Sequence, residues 1–191
     1  MSGAPRARLF VALDLPGEPR EALAAWGRDV ATSDGAERRL RLIPADALHV
    51  TLCFLGWRDE GQADEIAALV LGAVPDGAPA PSLALGEAAW LPPRRPRVLA
   101  VDLADEDGAA TDLQARVSDA LVAGAAFEPE KRPFRPHVTV ARVPRGARGG
   151  GREEPAPPAA LPFRGAAVTL YRSRLSSAGA HYEPLARAEL G

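Results

Sequence analysis

Cysteine, lysine and histidine are almost missing from this 191-residue chain. Cys53 is the single cysteine, so no intrachain disulfide can form and no thiolate cluster can hold a metal. Lys131 is the single lysine, and arginine supplies the rest of the positive charge. Arginine is also the better fork for phosphate oxygens. A large excess of one sign is lacking too: the net charge of −2 argues against a broadly basic nucleic-acid coat, though not against a local basic cleft. The apolar run that opens the chain stops at Asp14 and Pro16, too soon for a signal peptide or a membrane span. A cytoplasmic protein is the expectation: 47% apolar and 25% charged residues describe an ordinary globular chain with no membrane attachment. A chain of this length buries roughly 70% of its unfolded surface, enough for one domain or two small lobes sharing a core.

Two of the three histidines carry the main signal. HVTL at His49–Leu52 returns as HVTV at His137–Val140, displaced by 88 positions, and ALDL at Ala12–Leu15 returns as AVDL at Ala100–Leu103 at the same offset. Two matches at one offset imply one structural unit used twice, around residues 8–56 and 97–143 of a single domain spanning 1–191.

Local patterns place these motifs on strands. Leu9–Leu15 is β-rich and ends at Pro16 and Gly17; Leu23, Trp26 and Val30 then follow at helical spacing. Leu48–Leu55 reads as a strand, Ile66, Leu69, Val70 and Ala73 as one helix face, Pro75–Pro81 as a loop and Ser82–Leu91 as a strand. In the second copy, Val98–Leu103 is a strand, Leu113, Val117, Ala120 and Leu121 mark a helix, and Pro136–Val143 is the second His-x-Thr strand. Pro144–Pro162 has too many Gly and Pro residues for regular structure and predicts a mobile loop. Phe163–Leu175 and His181–Leu190 predict two closing strands joined by a turn at Ser177–Gly179. The expected fold class is α+β: two lobes related by a pseudo-two-fold, each with a mainly antiparallel sheet and outer helices, and a cleft between them.

Side chains alternate along a strand, so His49 and Thr51 project from one face, as do His137 and Thr139, while the intervening valines face the core. Brought together, the two strands would present two imidazoles and two hydroxyls to one tetrahedral anion. That set suits in-line displacement at phosphorus. A neutral imidazole takes a proton from the attacking oxygen, and a protonated one delivers a proton to the departing oxygen. The threonine hydroxyls donate to non-bridging oxygens. Neither a cofactor nor a metal is needed. A catalytic zinc usually takes three protein ligands, and no carboxylate shares the pattern. Spacing alone leaves open which histidine plays which part.

The chain resembles the 2H phosphoesterase superfamily, named for its two His-x-Thr motifs, and within it the RNA 2′,3′-cyclic phosphodiesterases, historically called 2′-5′ RNA ligases. The resemblance runs through RLFVALDLP at Arg8–Pro16, LHVTLCFLG at Leu48–Gly56, RRPRVLAVDL at Arg94–Leu103, FRPHVTVAR at Phe134–Arg142 and LYRSRLSSAGAHYEPL at Leu170–Leu185. It implies a bilobal, metal-independent enzyme that opens an RNA 2′,3′-cyclic phosphate to leave a 2′-phosphate. It also implies His49 as proton donor to the leaving 3′ oxygen and His137 as acceptor of the proton from water. RNA 3′ ends or nucleotide cyclic phosphates are then the partners, and nothing demands more than a monomer. The same chemistry suits a small cyclic nucleotide, ADP-ribose cyclic phosphate or a 2′-5′ linked oligonucleotide, whereas a non-catalytic RNA-end binder would not need both His-Thr pairs.

Other candidates carry two readings each. Arg142, five positions after His137 as in the family, is either a phosphate contact or a structural ion pair. Strict alternation puts it on the wrong face unless a bulge intervenes. Arg135 either reaches a phosphate from the strand entrance or is solvated. Phe10 either stacks on a base or ribose or fills the core. Trp57 is a stacking candidate or a loop anchor, and Arg94, Arg95 and Arg97 either guide RNA or are solvated. His181 is expected to play no catalytic part, and Cys53 to be a packing residue.

Overall fold

The computed structural model describes residues 5–33, 40–125, 127–144, 153–176 and 179–191. In chain order the elements are β1 (Arg6–Asp14), α1 (Gly17–Ser33), β2 (Arg41–Leu42), β3 (His49–Asp59), α2 (Ala63–Ala73), β4 (Ser82–Leu91), β5 (Val98–Ala104), α3 (Ala109–Gly124), β6 (His137–Arg142), β7 (Pro162–Arg164), β8 (Ala167–Ser176) and β9 (Gly179–Glu189). The α+β class and the antiparallel pairing follow the sequence. The two expected sheets, however, are one. Strands run β7-β4-β5-β6-β3-β1-β8-β9 in a nine-stranded sheet, with β2 attached to β6. The seam between the halves is the β3–β6 contact, where the paired register is Val50↔Val138 alone.

The two halves have matching registers. In the first half Ala12, Leu13 and Asp14 of β1 oppose Thr51, Val50 and His49 of β3. In the second, Ala100, Val101 and Asp102 of β5 oppose Thr139, Val138 and His137 of β6. Both pairs then slip by one residue at the same point: Val11 opposes Cys53, and Leu99 opposes Ala141, so Leu52 and Val140 are each passed over. Two matching bulges re-aim everything beyond them.

Apolar residues on the far side of the sheet decide where the helices lie. Leu9, Leu13, Leu170 and Val50 are at most 1% exposed, each burial stabilising by roughly 1.5–3 kcal/mol. The helices cross over between halves. Helix α1 of the first copy packs on β6 of the second, where a Cβ on Gly27 would come within 2.6 Å of Val140 Cγ1. Helix α3 of the second copy packs on β3 of the first, with Gln114 Nε2 donating to Cys53 Sγ at 3.9 Å. Burial pushes the Cys53 thiol up to about 12, in keeping with a packing role.

The closing strands are interrupted where one was expected. Residues 162–164 pair with β4 at one end of the sheet, whereas β8 pairs with β1 on the other side of the seam. Gly165 makes the crossing possible because a Cβ there would lie 2.7 Å from Leu13 Cδ1. The Gly-rich part of the expected loop, 145–152, and the turn residues 177–178 lie outside the described residues. Residues 153–161 form no regular element, yet they are tied down: Trp90 Nε1 donates to the Glu153 carbonyl and Trp26 Nε1 to the Ala156 carbonyl, both at 3.0 Å. Among the described residues no helix is long and apolar enough to cross a membrane.

Candidate active site

The seam sets the site. Because Val50 and Val138 pair across it and point into the core, their neighbours on both strands point to the opposite face. There His49, Thr51, His137, Thr139 and Arg142 line one pocket with Ile43, Ala47 and Tyr182. Its volume of about 50 Å³ compares with roughly 10–15 Å³ needed to seat one water. It therefore suits a group of phosphate size.

Both imidazoles are held in the same way. His49 Nδ1 lies 2.8 Å from the Ala47 carbonyl, and His137 Nδ1 lies 2.8 Å from the Arg135 carbonyl. A carbonyl oxygen only accepts, so Nδ1 donates in each ring and Nε2 is left for a ligand. The carbonyl two residues earlier is thus the orienting group in both copies.

The bulge at Val140 answers the question about Arg142. Val140 and Ala141 are both buried in succession, and Arg142 returns to the face of His137 and Thr139, where it lines the pocket. In the first copy the equivalent bulge brings Phe54 to the corresponding place.

The surroundings of the two histidines differ. His49 is half-buried beneath Phe10, 4.9 Å away between ring centroids, and meets Tyr182 edge-on at 5.3 Å. Phe10 also stacks on Tyr171 at 5.3 Å. Burial lowers the His49 pKa below 6.5; the Ala47 carbonyl and Asp14 act against this, while Arg142 and His137 add to it. Asp14, opposite His49 on β1, accepts hydrogen bonds from Thr169 Oγ1 at 2.8 Å and Tyr171 Oη at 3.0 Å, and forms an ion pair with Arg187. Burial, and then the Asp14 charge, raise Tyr171 to about 12, so its hydroxyl remains a donor.

Two sequence expectations need correcting. Phe10 is only 4% exposed and its ring is covered by His49, Tyr171 and Tyr182, which leaves no face for a base or ribose. It braces His49 instead. Arg135 does not line the pocket; its guanidinium is paired with Asp102, the counterpart of Asp14. Arg94, Arg95 and Arg97 are exposed, and they and Trp57 line neither this pocket nor the larger cavity beside it. That second cavity, about 380 Å³, shares Ala47, His49 and Tyr182 with the pocket and includes His181 and Asp14 in its wall. Sequence reasoning does not single out Tyr182, Tyr171 or Asp14. Asp14 and Asp102 were nonetheless within reach, since both sit in the repeated ALDL and AVDL segments.

Known proteins resemble this chain in sequence and in fold. The RNA 2′,3′-cyclic phosphodiesterase of Escherichia coli (strain K12) is 32% identical over 183 residues, covering 94% of each chain. The crystal structure of E. coli LigT complexed with 3′-AMP superposes with a TM-score of 0.77 at 26% identity, over 97% of this chain and 99% of that one. The crystal structure of TT0787 of Thermus thermophilus gives a TM-score of 0.77 at 25% identity, over 95% and 97%. The model of the 2′-5′ RNA ligase superfamily matches residues 16–174, and with these relatives it shows that the chain belongs to that superfamily of two-histidine phosphoesterases.

Proposed function

We propose that this chain hydrolyses the 2′,3′-cyclic phosphate at RNA 3′ ends to a 2′-phosphomonoester, without a metal, as one bilobal domain whose two repeats each supply an imidazole. The observation that carries the reading is the pair of identically anchored histidines and their threonines around one phosphate-sized pocket. The name of the E. coli relative supports the same chemistry.

In this reading the phosphate sits between the rings. Thr51, Thr139 and Arg142 hold its non-bridging oxygens, whose charge grows in the transition state. Water attacks phosphorus and gives a proton to Nε2 of His137. The bond to O3′ breaks as Nε2 of His49 hands its proton to that oxygen. The phosphate stays on O2′. His49 ends neutral and His137 protonated, and exchange with solvent resets the pair.

Burial works against the donor in the empty site, because it favours neutral His49. An anionic phosphate in the pocket acts in the opposite sense, drawing the proton back onto that ring. The competent state carries one proton on the pair, so kcat/KM is expected to be bell-shaped. Its acid limb, the lower of the pair's two apparent ionisations, should fall below pH 6.5 because the His49 pKa is lowered. A rate still rising well above pH 6.5 on the acid side would count against this assignment.

The direct test is product analysis. Purified protein, with EDTA present, is incubated with an oligoribonucleotide ending in a 2′,3′-cyclic phosphate. Conversion to a 2′-phosphate end is expected; a 3′-phosphate product, or arrest by the chelator, overturns the proposal.

A further inference from the structure

Each histidine faces an aspartate across its strand pair: Asp14 of β1 opposes His49, and Asp102 of β5 opposes His137. Directly opposed residues share a face, with Cβ atoms roughly 4.5–5.5 Å apart. The two aspartates have different surroundings. Asp14 is 8% exposed and both its oxygens are held, Oδ1 by the Tyr171 hydroxyl and Oδ2 by Thr169 Oγ1 and Arg187. It lies with His49 in the wall of the larger cavity. Asp102 is paired with Arg135 through Oδ2, while its Oδ1 is buried and, among the described residues, has no partner. It lines neither the pocket nor the cavity. Around His49 stand His137 and Arg142 on β6, both of which oppose a proton on the ring, and Tyr171 and Tyr182 on β8 and β9. Across the cavity lie Arg20, His181, Arg187 and Asp46. Asp46 is exposed, so water weakens its field, and Asp14 is left as the buried anion beside the ring.

We infer that Asp14, held by Thr169, Tyr171 and Arg187, is the positioning residue of the proton donor: its fixed negative charge keeps a proton on the His49 imidazole and makes this half of the sheet, not that of His137, the acid side. This role rests on the function proposed above and says why two alike histidines divide the work. Asp14 does not line the phosphate-sized pocket, so it acts through His49. Burial is the largest influence on that ring and strips its proton; the Ala47 carbonyl and Asp14 act against it. A charge taken out of water needs partners of its own, which the three donors supply. Tyr171 also stacks on Phe10, which lies against His49, so one group fixes both the carboxylate and the ring. Arg187 tunes the device, because a cation paired with Asp14 weakens the field that the imidazole feels.

The test titrates the imidazoles by NMR in the ligand-free protein, with the His49 signal assigned by its loss in His49→Ala. Asp14→Asn removes the charge at nearly constant volume. The His49 midpoint is expected to fall by about one pH unit or more, and kcat/KM on an RNA cyclic phosphate near neutrality by about tenfold. Arg187→Gln should move the midpoint, and the acid limb of kcat/KM, the other way, because Asp14 loses its counter-charge. That side chain is 42% exposed, so the fold should tolerate the change. Asp102→Asn should leave the His49 midpoint in place. A midpoint unmoved by Asp14→Asn, displaced in the same direction by Arg187→Gln, or displaced equally by Asp102→Asn overturns the inference, and Asp14 then only holds the sheet. Should Asp14→Asn not fold, Arg187→Gln decides alone: an upward shift supports the role and none overturns it. The titration needs no substrate. Shifted midpoints in a protein that hydrolyses nothing would retire the proposed reaction while the hold of Asp14 on His49 stands.

Discussion

His137→Ala is expected to lower kcat on an RNA cyclic phosphate by ~10²–10⁴-fold while leaving the fold intact. His137 sits at the start of β6 with its Nδ1 on the Arg135 carbonyl, and the aromatic group around Phe10 holds His49 rather than this ring. On the proposed mechanism its removal takes away the proton acceptor and little else. His49→Ala should cost a similar factor in rate, but it also takes a ring out of the group formed by Phe10, Tyr171 and Tyr182. Its melting temperature should therefore fall further than that of the His137 variant. The double variant should be little worse than either single one, because an acid and a base that act in one step fail together. Single-turnover rates for the three variants check this, and near-normal hydrolysis by either single variant removes the mechanism.

Arg142→Ala is expected to lower kcat by ~10²–10³-fold, the range for losing one preorganised donor to a developing oxyanion. The side chain is exposed at the pocket wall, so the melting temperature should hardly move. A second readout separates a phosphate contact from a scaffolding role. Arg142 pushes the His49 pKa down, so its removal should let that pKa rise and shift the acid limb of kcat/KM to higher pH. Arg142→Lys keeps the charge without the planar fork and should recover part of the rate with the limb nearly in place. Loss of rate with an unmoved limb would argue that Arg142 acts elsewhere.

How much of this is legible beforehand depends on the scale of the signal. The offset of 88 residues locates both histidines, both threonines and the strands that carry them, because alternation along a strand is a local rule. The same rule fails at Arg142. A bulge at Val140 changes the face, and nothing in the residues Val-Ala-Arg announces it. Phe10 looks like a stacking group because its type is right; only the arrival of β8 and β9, more than 150 residues later, covers its ring with Tyr171 and Tyr182. The merger of two expected sheets into one likewise rests on a single long-range pair, Val50 with Val138. The exchange of α1 and α3 between halves rests on tertiary contacts that helical periodicity does not encode.

That single valine pair has a consequence for how the site is divided. Either half alone would own one imidazole and an open strand edge, so neither could present both rings to one ligand. The edge-to-edge meeting leaves each ring its own surroundings, an aromatic cover over His49 and the Asp102–Arg135 ion pair beside His137.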